Sequence, residues 1–298
     1  MIKNIIPVFF IFVIIVFHDD VITGTRNGLM LWYRDLIPSL LPFIIITNAL
    51  SEMKSYQSVA SVFRKFVPNI YEIIAIILGN LCGYPVGAKI LNDLVTEKCI
   101  SYKKANTLLA LSSQASPMFL IGYGYNCILE KKIPLCIFLI SIYLPTFILY
   151  IVKTKIYNDR EQNNNTISHL SKNHNAYNIN NTFMQTASTI VIIGFYVIIF
   201  SIIINIILNK TNNLYIKCIL SFMEITNGLM LLKDINISTN IFLAVSTALS
   251  SFGGLCTAFQ IKSVLNYRGA SIKKYLSDKI LLSAGTLIII TFYLHIKY

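Results

Sequence analysis

Gly79-Asn80-Leu81-Cys82-Gly83-Tyr84-Pro85-Val86-Gly87-Ala88-Lys89 stands inside an otherwise apolar run from Ile70 to Leu94. Three glycines, a proline and a cation have been placed in a stretch that must live in lipid. Pro85 has no N–H to donate and its ring clashes with the carbonyl of Leu81, so a helix through this point is kinked or broken. Freed backbone groups survive at membrane depth only when they are buried in protein or line a polar cavity. Lys89 would cost about 2.5–3.5 kcal/mol at a bilayer centre, so it is expected to have a partner or a wet site. The stretch therefore predicts two short helical pieces meeting at Gly83–Gly87.

The rest of the chain supplies the membrane setting. Its 298 residues are 55% hydrophobic and only 13% charged, the composition of a polytopic membrane protein. The net charge of +12 comes from basic residues that flank apolar segments, which is the pattern of cytoplasmic loops facing anionic lipid. With no basic face outside those loops, nucleic-acid binding is not expected. The six cysteines form no CxxC pair and the four histidines make no ligand-spaced cluster with them. No metal, no cofactor and no catalytic residue is expected, and the chain is not read as an enzyme.

The apolar segments are Ile5–Phe17, Leu29–Leu50, Ile70–Leu94, Ala105–Ile128, Ile133–Val152, Phe183–Leu208, Leu214–Leu232, Asn240–Gln260 and Ile280–Ile296. Most approach the roughly 20 residues needed to span. The first follows Lys3 like a signal sequence but meets His18-Asp19-Asp20, not a small-residue cleavage site, and is read as an uncleaved membrane helix. Gln57–Pro68 has the pattern of an interfacial helix, and Lys153–Thr182 that of a flexible polar loop.

The two sides of that loop resemble one another. Ala110-Leu111-Ser112-Ser113 recurs as Ala248-Leu249-Ser250-Ser251. Each copy runs at once into helix-disrupting residues, Gln114-Ala115-Ser116-Pro117 in one and Phe252-Gly253-Gly254 in the other. Each is preceded by a motif segment, Gly83-Tyr84-Pro85-Val86-Gly87 or Glu224-Ile225-Thr226-Asn227-Gly228. Paired interrupted helices in corresponding halves mark a secondary transporter built from an inverted repeat. Charge supports this. If all nine segments cross, the 25 Lys and Arg divide 13 to 12; if the two motif segments are re-entrant, they divide 17 to 8, with the N-terminus in the cytoplasm. The expected fold is all-α, with about seven spanning helices and two re-entrant helical hairpins. Its divisions are an N-terminal helix over 1–25, a first repeat over 26–152, a cytoplasmic loop over 153–182 and a second repeat over 183–298.

The candidate site follows from the breaks. Gly83, Tyr84, Pro85, Gly87 and Lys89 would offer helix N-termini and a full charge to an anionic carboxylate. The competing reading makes Gly79, Gly83 and Gly87 a small-residue packing face. Ser112, Ser113, Gln114 and Ser116 beside Pro117, and Ser250 and Ser251 beside Gly253 and Gly254, offer donors and acceptors to the same centre. Glu224, with Thr226 and Asn227, is an intramembrane carboxylate that could pair with Lys89, carry a coupling proton, or sit half-exposed at a hairpin mouth. Trp32, Tyr33, Arg34 and Asp35 read as an interfacial anchor, and Pro38 and Pro42 as kinks.

These motifs carry a family resemblance. Gly28-Leu29-Met30-Leu31-Trp32, Pro38-Ser39-Leu40-Leu41-Pro42-Phe43, Gly83 to Lys89, Glu224 to Leu229 and Ser251-Phe252-Gly253-Gly254-Leu255 stand in the order found in YlbJ-type sporulation integral membrane proteins, within the nucleoside-recognition (Gate) domain group. The resemblance runs from about residue 26 to the C-terminus. It implies a role in endospore formation. It also implies transport of dipicolinate, a small aromatic dicarboxylate, out of the mother cell, from the cell membrane or the outer forespore membrane. Similarity to concentrative nucleoside transporters implies the helix–hairpin repeat. The chain departs from the family pattern at Ser113-Gln114-Ala115-Ser116-Pro117 and at Cys256-Thr257-Ala258-Phe259-Gln260. The alternatives that remain are a nucleoside transporter and a non-transporting scaffold for sporulation partners. The expected partners are the lipid bilayer and a small anionic metabolite, with a homo-oligomer left open.

Overall fold

A computed structural model describes residues 11–52, 70–158, 179–211 and 213–297. Five helices among them are long and apolar enough to cross a membrane: His18–Ala49, Leu135–Lys155, Ile179–Lys210, Thr239–Val264 and Ile272–Lys297. The protein is an all-α polytopic membrane protein. The expected interfacial helix at Gln57–Pro68 and most of the expected polar loop lie outside the described residues.

The first long helix joins α1 (His18–Leu31) to α2 (Ile37–Glu52) through a π-helical turn at Trp32–Leu36. That turn immediately precedes Pro38, and a π-bulge is a common way to absorb the missing N–H and the ring clash. The hydroxyl of Ser39 donates to the carbonyls of Asp35 and Leu36, at 2.9 and 3.0 Å, and so helps to satisfy backbone loosened beside the proline. The stretch after His18, between the first two apolar segments, is helical. Gly24 and Gly28 explain this: an added Cβ would lie 2.7 Å from Ile202 Cα and 2.8 Å from Ile198 Cα, so the helix is packed on a neighbouring backbone.

Two hairpins follow the expectation. α3 (Ile70–Cys82) and α4 (Val86–Thr96) are joined by three residues, as are α9 (Leu214–Ser221) and α10 (Ile225–Asp234). At 1.5 Å per residue the longest arm, 13 residues, covers about 20 Å, too short for a hydrocarbon core of about 30 Å. The arms pack on each other: Gly79 and Gly87 face one another across the first hairpin. Each hairpin thus enters and leaves on one side.

Each hairpin is followed by an interrupted helix and then a continuous one. In the first half, α5 (Tyr102–Leu108) ends in turns. An extended stretch leads to α6 (Pro117–Phe119) and a π-helical run over Leu120–Ile128, and then to α7 (Leu135–Asn158). The second half has α8 (Ile179–Lys210) before its hairpin. After the hairpin come α11 (Thr239–Phe252), a break at Gly253-Gly254, α12 (Leu255–Val264) and α13 (Ile272–Lys297).

Like elements pack antiparallel across the halves. Along α1 and α2, Asp20, Gly28, Trp32 and Asn48 meet Asn205, Ile198, Ile190 and Thr186 of α8, ascending on one side and descending on the other. Likewise Pro145 of α7 faces Gly285 of α13, while Lys153 pairs with Asp278. Equivalent helices that run antiparallel are what an inverted repeat requires, and the inversion places the two hairpins on opposite faces with their tips meeting in the interior.

Candidate functional site

The tip of each hairpin rests on the break of the interrupted helix in its own half. At the first, the Tyr84 N–H donates to the Gln114 carbonyl at 3.2 Å, and a Cβ on Gly83 would come within 2.9 Å of Ser116 N. At the second, the Leu255 and Cys256 N–H groups donate to the Phe222 and Met223 carbonyls at 2.9 and 2.8 Å. The halves also cross over. The Tyr84 ring lies beside Gly253, and the Tyr123 hydroxyl donates to the Thr226 carbonyl at 3.0 Å.

A small cavity sits where these elements converge. Its wall takes Gly83 and Tyr84 from the first tip, Ala115, Ser116 and Phe119 from the first break, and Glu224 and Ile225 from the second tip. Cys256, Thr257 and Gln260 come from α12, with apolar side chains of α2 and α8 closing the remainder. About 20 Å³ is open to water, room for little more than one molecule. One buried acceptor on the wall, Gln260 Oε1, has no hydrogen-bond partner.

Glu224 is fixed by its own helix. The carboxylate caps α10, accepting from the Thr226 and Asn227 N–H groups at 3.0 and 2.9 Å, from the Thr226 hydroxyl, and from the Asn227 amide at 2.8 Å. It is 2% exposed, and its position is not the half-exposed hairpin mouth considered from sequence. Its partners do not include Lys89. That ammonium donates to Asn48 Oδ1 at 2.7 Å and Gln185 Oε1 at 2.9 Å, between α2 and α8, and does not line the cavity.

The glycine stretch serves both competing roles at different residues. The carbonyl of Ser112 is wedged between Gly79 and Gly87, where an added Cβ would lie 2.2 and 1.7 Å from its oxygen. Those glycines are packing positions. Gly83, with φ of +80°, makes the turn and meets the cavity. The two helical pieces accordingly meet at Gly83–Pro85, and Gly87 lies inside α4. Pro85 is the residue that precedes α4.

The serines divide in the same way. Ser116 lines the cavity and caps α6, accepting from the Phe119 N–H at 3.3 Å. Ser112 and Ser250 bond back to their own helices, at Leu109 O and Ser246 O. The hydroxyls of Ser113 and Ser251 are buried without partners, beside the cavity's supporting layer and not on its wall. Gln114 braces that layer: its N–H donates to Asn80 Oδ1 and its amide to Thr146 Oγ1. Gly253 and Gly254, with φ of +85° and +84°, form the second break, and Gly254 approaches the second tip, its Cβ position 3.1 Å from Glu224 Cα. The N-termini of α10, α6 and α12 are capped internally, by Glu224, by Ser116 and by the carbonyls of the second tip, whereas that of α4, the end expected to attract an anion, carries no side-chain cap.

A wider vestibule of about 630 Å³ lies on the other side of the second tip. Arg34 and Asp35 line it with Asn205, Tyr123, Asn227 and Lys233. The Tyr123–Thr226 bond and the Asn227 side chain, which also donates to Ser201 Oγ at 2.8 Å, separate it from the small cavity. Trp32 is not an interfacial anchor: its indole donates to Ile190 O at 3.0 Å and its ring fills the space left by Gly194. Tyr33 is 71% exposed. At the vestibule rim, hydrogen bonds from Lys233 and Lys132 hold the exposed Glu130 carboxyl below its ordinary range.

Sequence reasoning missed Lys279, Gln260, Thr257 and Tyr275. Lys279 was counted with the loop charges because it directly precedes the apolar run Ile280–Ile296; it is 0% exposed and donates to Gln114 Oε1 at 2.6 Å and Ser251 O at 2.7 Å. Removing Lys89 and Lys279 from the loop tally leaves the basic excess on the same side. Thr257 bonds to Gly254 O at 2.8 Å and shares a hydrogen bond with the Tyr275 hydroxyl at 3.1 Å. The polar residues of α12 carried a signal in their near-helical spacing at positions 256, 257 and 260. Among the described residues no group of His, Cys, Asp or Glu is placed to hold a metal ion.

Comparison with known proteins adds one relative. The chain is similar to the sporulation integral membrane protein YlbJ of Bacillus subtilis (strain 168), 28% identical over 104 residues. The matched stretch is 33% of this chain and 26% of that protein. No family model matches the chain, and no solved structure matches it.

Proposed function

We propose that the protein is a membrane transporter of a small polar organic solute, acting in endospore formation. The observation that carries this reading is the small cavity bounded by two hairpin tips and two broken helices from antiparallel halves. Such a site can open to one face by moving one tip and to the other by moving its counterpart, which is alternating access about a fixed centre. The vestibule behind the second tip supplies an aqueous approach on one side. The similarity to a sporulation membrane protein supports the cellular setting, and the resemblance of the motifs supports dipicolinate as the first substrate to test. Export from the mother cell, with the N-terminus in the cytoplasm, fits the basic loop excess.

A second substrate reading is favoured by the cavity wall. It carries the Glu224 carboxylate and the unpartnered Gln260 Oε1, both acceptors, and no Lys or Arg. Acceptors without a cation suit a neutral solute with hydroxyl or amide donors, such as a nucleoside, better than a dianion. Purified protein in liposomes tests both together, with Lys89→Ala and Glu224→Gln alongside. Dipicolinate flux that persists in Lys89→Ala and falls at least tenfold in Glu224→Gln supports the transporter and its first substrate. Uridine flux alone selects the second substrate. Neither flux, from folded protein, leaves a non-transporting scaffold.

A further inference from the structure

Lys279 is the one fully buried cation among the described residues, in the middle of the helical bundle. Both of its hydrogen-bond acceptors are neutral: the side-chain oxygen of Gln114 and the main-chain oxygen of Ser251. No carboxylate among the described residues lies within ion-pair distance of it. Asp278, its neighbour on α13, turns the other way to pair with Lys153 of α7.

The groups around it are otherwise quiet. α11 contains no titratable residue. α12 contributes Cys256 on the cavity wall and Lys262 in solvent. α5 carries Lys103 and Lys104 at its outer end, the latter bound to Glu72. α7 contributes Lys153, already paired, and on α13 itself the Tyr275 hydroxyl is bonded to Thr257. Lys279 therefore holds its charge in a dry interior with only dipoles around it, and loss of its proton would leave that interior uncharged.

Its partners make that loss tolerable and consequential. An ammonium has three N–H groups and a neutral amine has two, enough for the same two acceptors. Deprotonation orphans neither oxygen, but it weakens both bonds, because charge-assisted hydrogen bonds are about twice as strong as neutral ones. Gln114 lies in the break of the first interrupted helix, and Ser251 in the last turn before the break of the second. One proton thus sets how firmly the two breaks are tied together.

We infer that Lys279 is a proton-binding residue that couples proton movement to opening of the central site. The inference rests on the transport reading for its consequence, solute coupling, but not for its first step. One proton is taken up by the amine in one conformation and released to water in the other, with no other bond made or broken.

The test uses the full-length protein as wild type, Lys279→Gln and Lys279→Arg. Alkylation of the buried Cys256 by N-ethylmaleimide, relative to Cys127 in the same chain, is followed from pH 6 to 9 in detergent. The wild-type ratio is expected to rise at least threefold more across this range than that of Lys279→Gln, which starts high and stays level apart from thiol ionisation. Lys279→Arg, which keeps its charge, should stay low throughout. In liposomes, Lys279→Gln should retain solute counterflow but lose accumulation driven by a pH step, and Lys279→Arg should lose both. If Gln unfolds the protein, Lys279→Met replaces it, since an apolar side chain of similar length often substitutes for a buried charge without loss of stability. The inference is overturned if the Gln or Met variant keeps the wild-type pH dependence, or if Arg restores pH-driven accumulation. If no solute moves while the Cys256 ratio still follows Lys279, the transport reading falls and the proton site stands.

Discussion

The two hairpins hold equivalent places in the two halves, yet they are fastened differently. The first has arms of 13 and 11 residues and clamps the Ser112 carbonyl of another element between two glycines. The second has arms of 8 and 10 residues, and its one comparable glycine, Gly228, faces the Ser221 carbonyl of its own partner arm. The second is held to the rest of the molecule by the buried side chains of Ile225, Leu229 and Leu232 and by hydrogen bonds at its tip: Leu255 and Cys256 to its tip carbonyls, Tyr123 to Thr226 O and Asn227 to Ser201 Oγ. Close packing resists small displacements steeply, whereas a few hydrogen bonds can be exchanged for water at about 1 kcal/mol each. The second hairpin also borders the water-accessible vestibule. Under the proposed transport cycle, the comparison assigns the first hairpin the part of a post and the second that of the gate.

The comparison breaks most severely if the post can be disturbed without harm. Gly87→Ala places a Cβ 1.7 Å from the Ser112 oxygen, and overpacking of that kind costs about 3 kcal/mol. Thermal unfolding in detergent should show a loss of several degrees or failure to fold. Gly228→Ala meets Ser221 O at 1.9 Å within its own hairpin, so its two arms can part locally and the fold should survive with the gate displaced. Equal destabilisation by the two variants would remove the distinction.

Glu224→Ala comes next. It leaves the Thr226 and Asn227 N–H groups without their cap, which costs about 1–2 kcal/mol. The loss should appear as faster proteolysis confined to the second hairpin. Tyr123→Phe removes one bond to Thr226 O, worth about 1 kcal/mol, and should raise Cys256 alkylation severalfold while leaving the melting temperature nearly unchanged. The smallest effect belongs to Glu130. Its carboxyl is held below the ordinary value of 4.5, so any stability it contributes is present above that pH and is lost as pH falls through it. Glu130→Gln should therefore match wild type at acid pH and differ from it only slightly at neutral pH, because exposed pairs contribute little.

The parts of this architecture marked by helix breakers were legible in the sequence. Pro85, Pro117 and Gly253-Gly254 fall in membrane-length apolar runs, and lipid leaves such residues few roles. The positive-inside count then separated crossing segments from hairpins, since only re-entry concentrated the basic residues on one side. What stayed hidden depended on direction. Periodicity in an apolar run is weak, so nothing showed that Lys89 turns toward Asn48 and Gln185, or that Trp32 fills the gap at Gly194. Lys279 escaped because hydropathy marks where apolar residues begin, whereas α13 begins at Ile272, seven residues before it. The caps at the N-termini of α10 and α12 were equally hidden. They are Glu224 and the tip carbonyls, which come from a hairpin whose docking no local pattern encodes.

The central claim is that solute passes when the second tip leaves α12. Met223→Cys, placed opposite native Cys256 whose N–H donates to the Met223 carbonyl at 2.8 Å, allows that tip to be fastened by oxidation. Flux across liposomes, measured before oxidation, after it and after reduction, is the most direct measurement. The account predicts that cross-linking stops dipicolinate or uridine flux and that reductant restores it. Undiminished flux through fully cross-linked protein would contradict it.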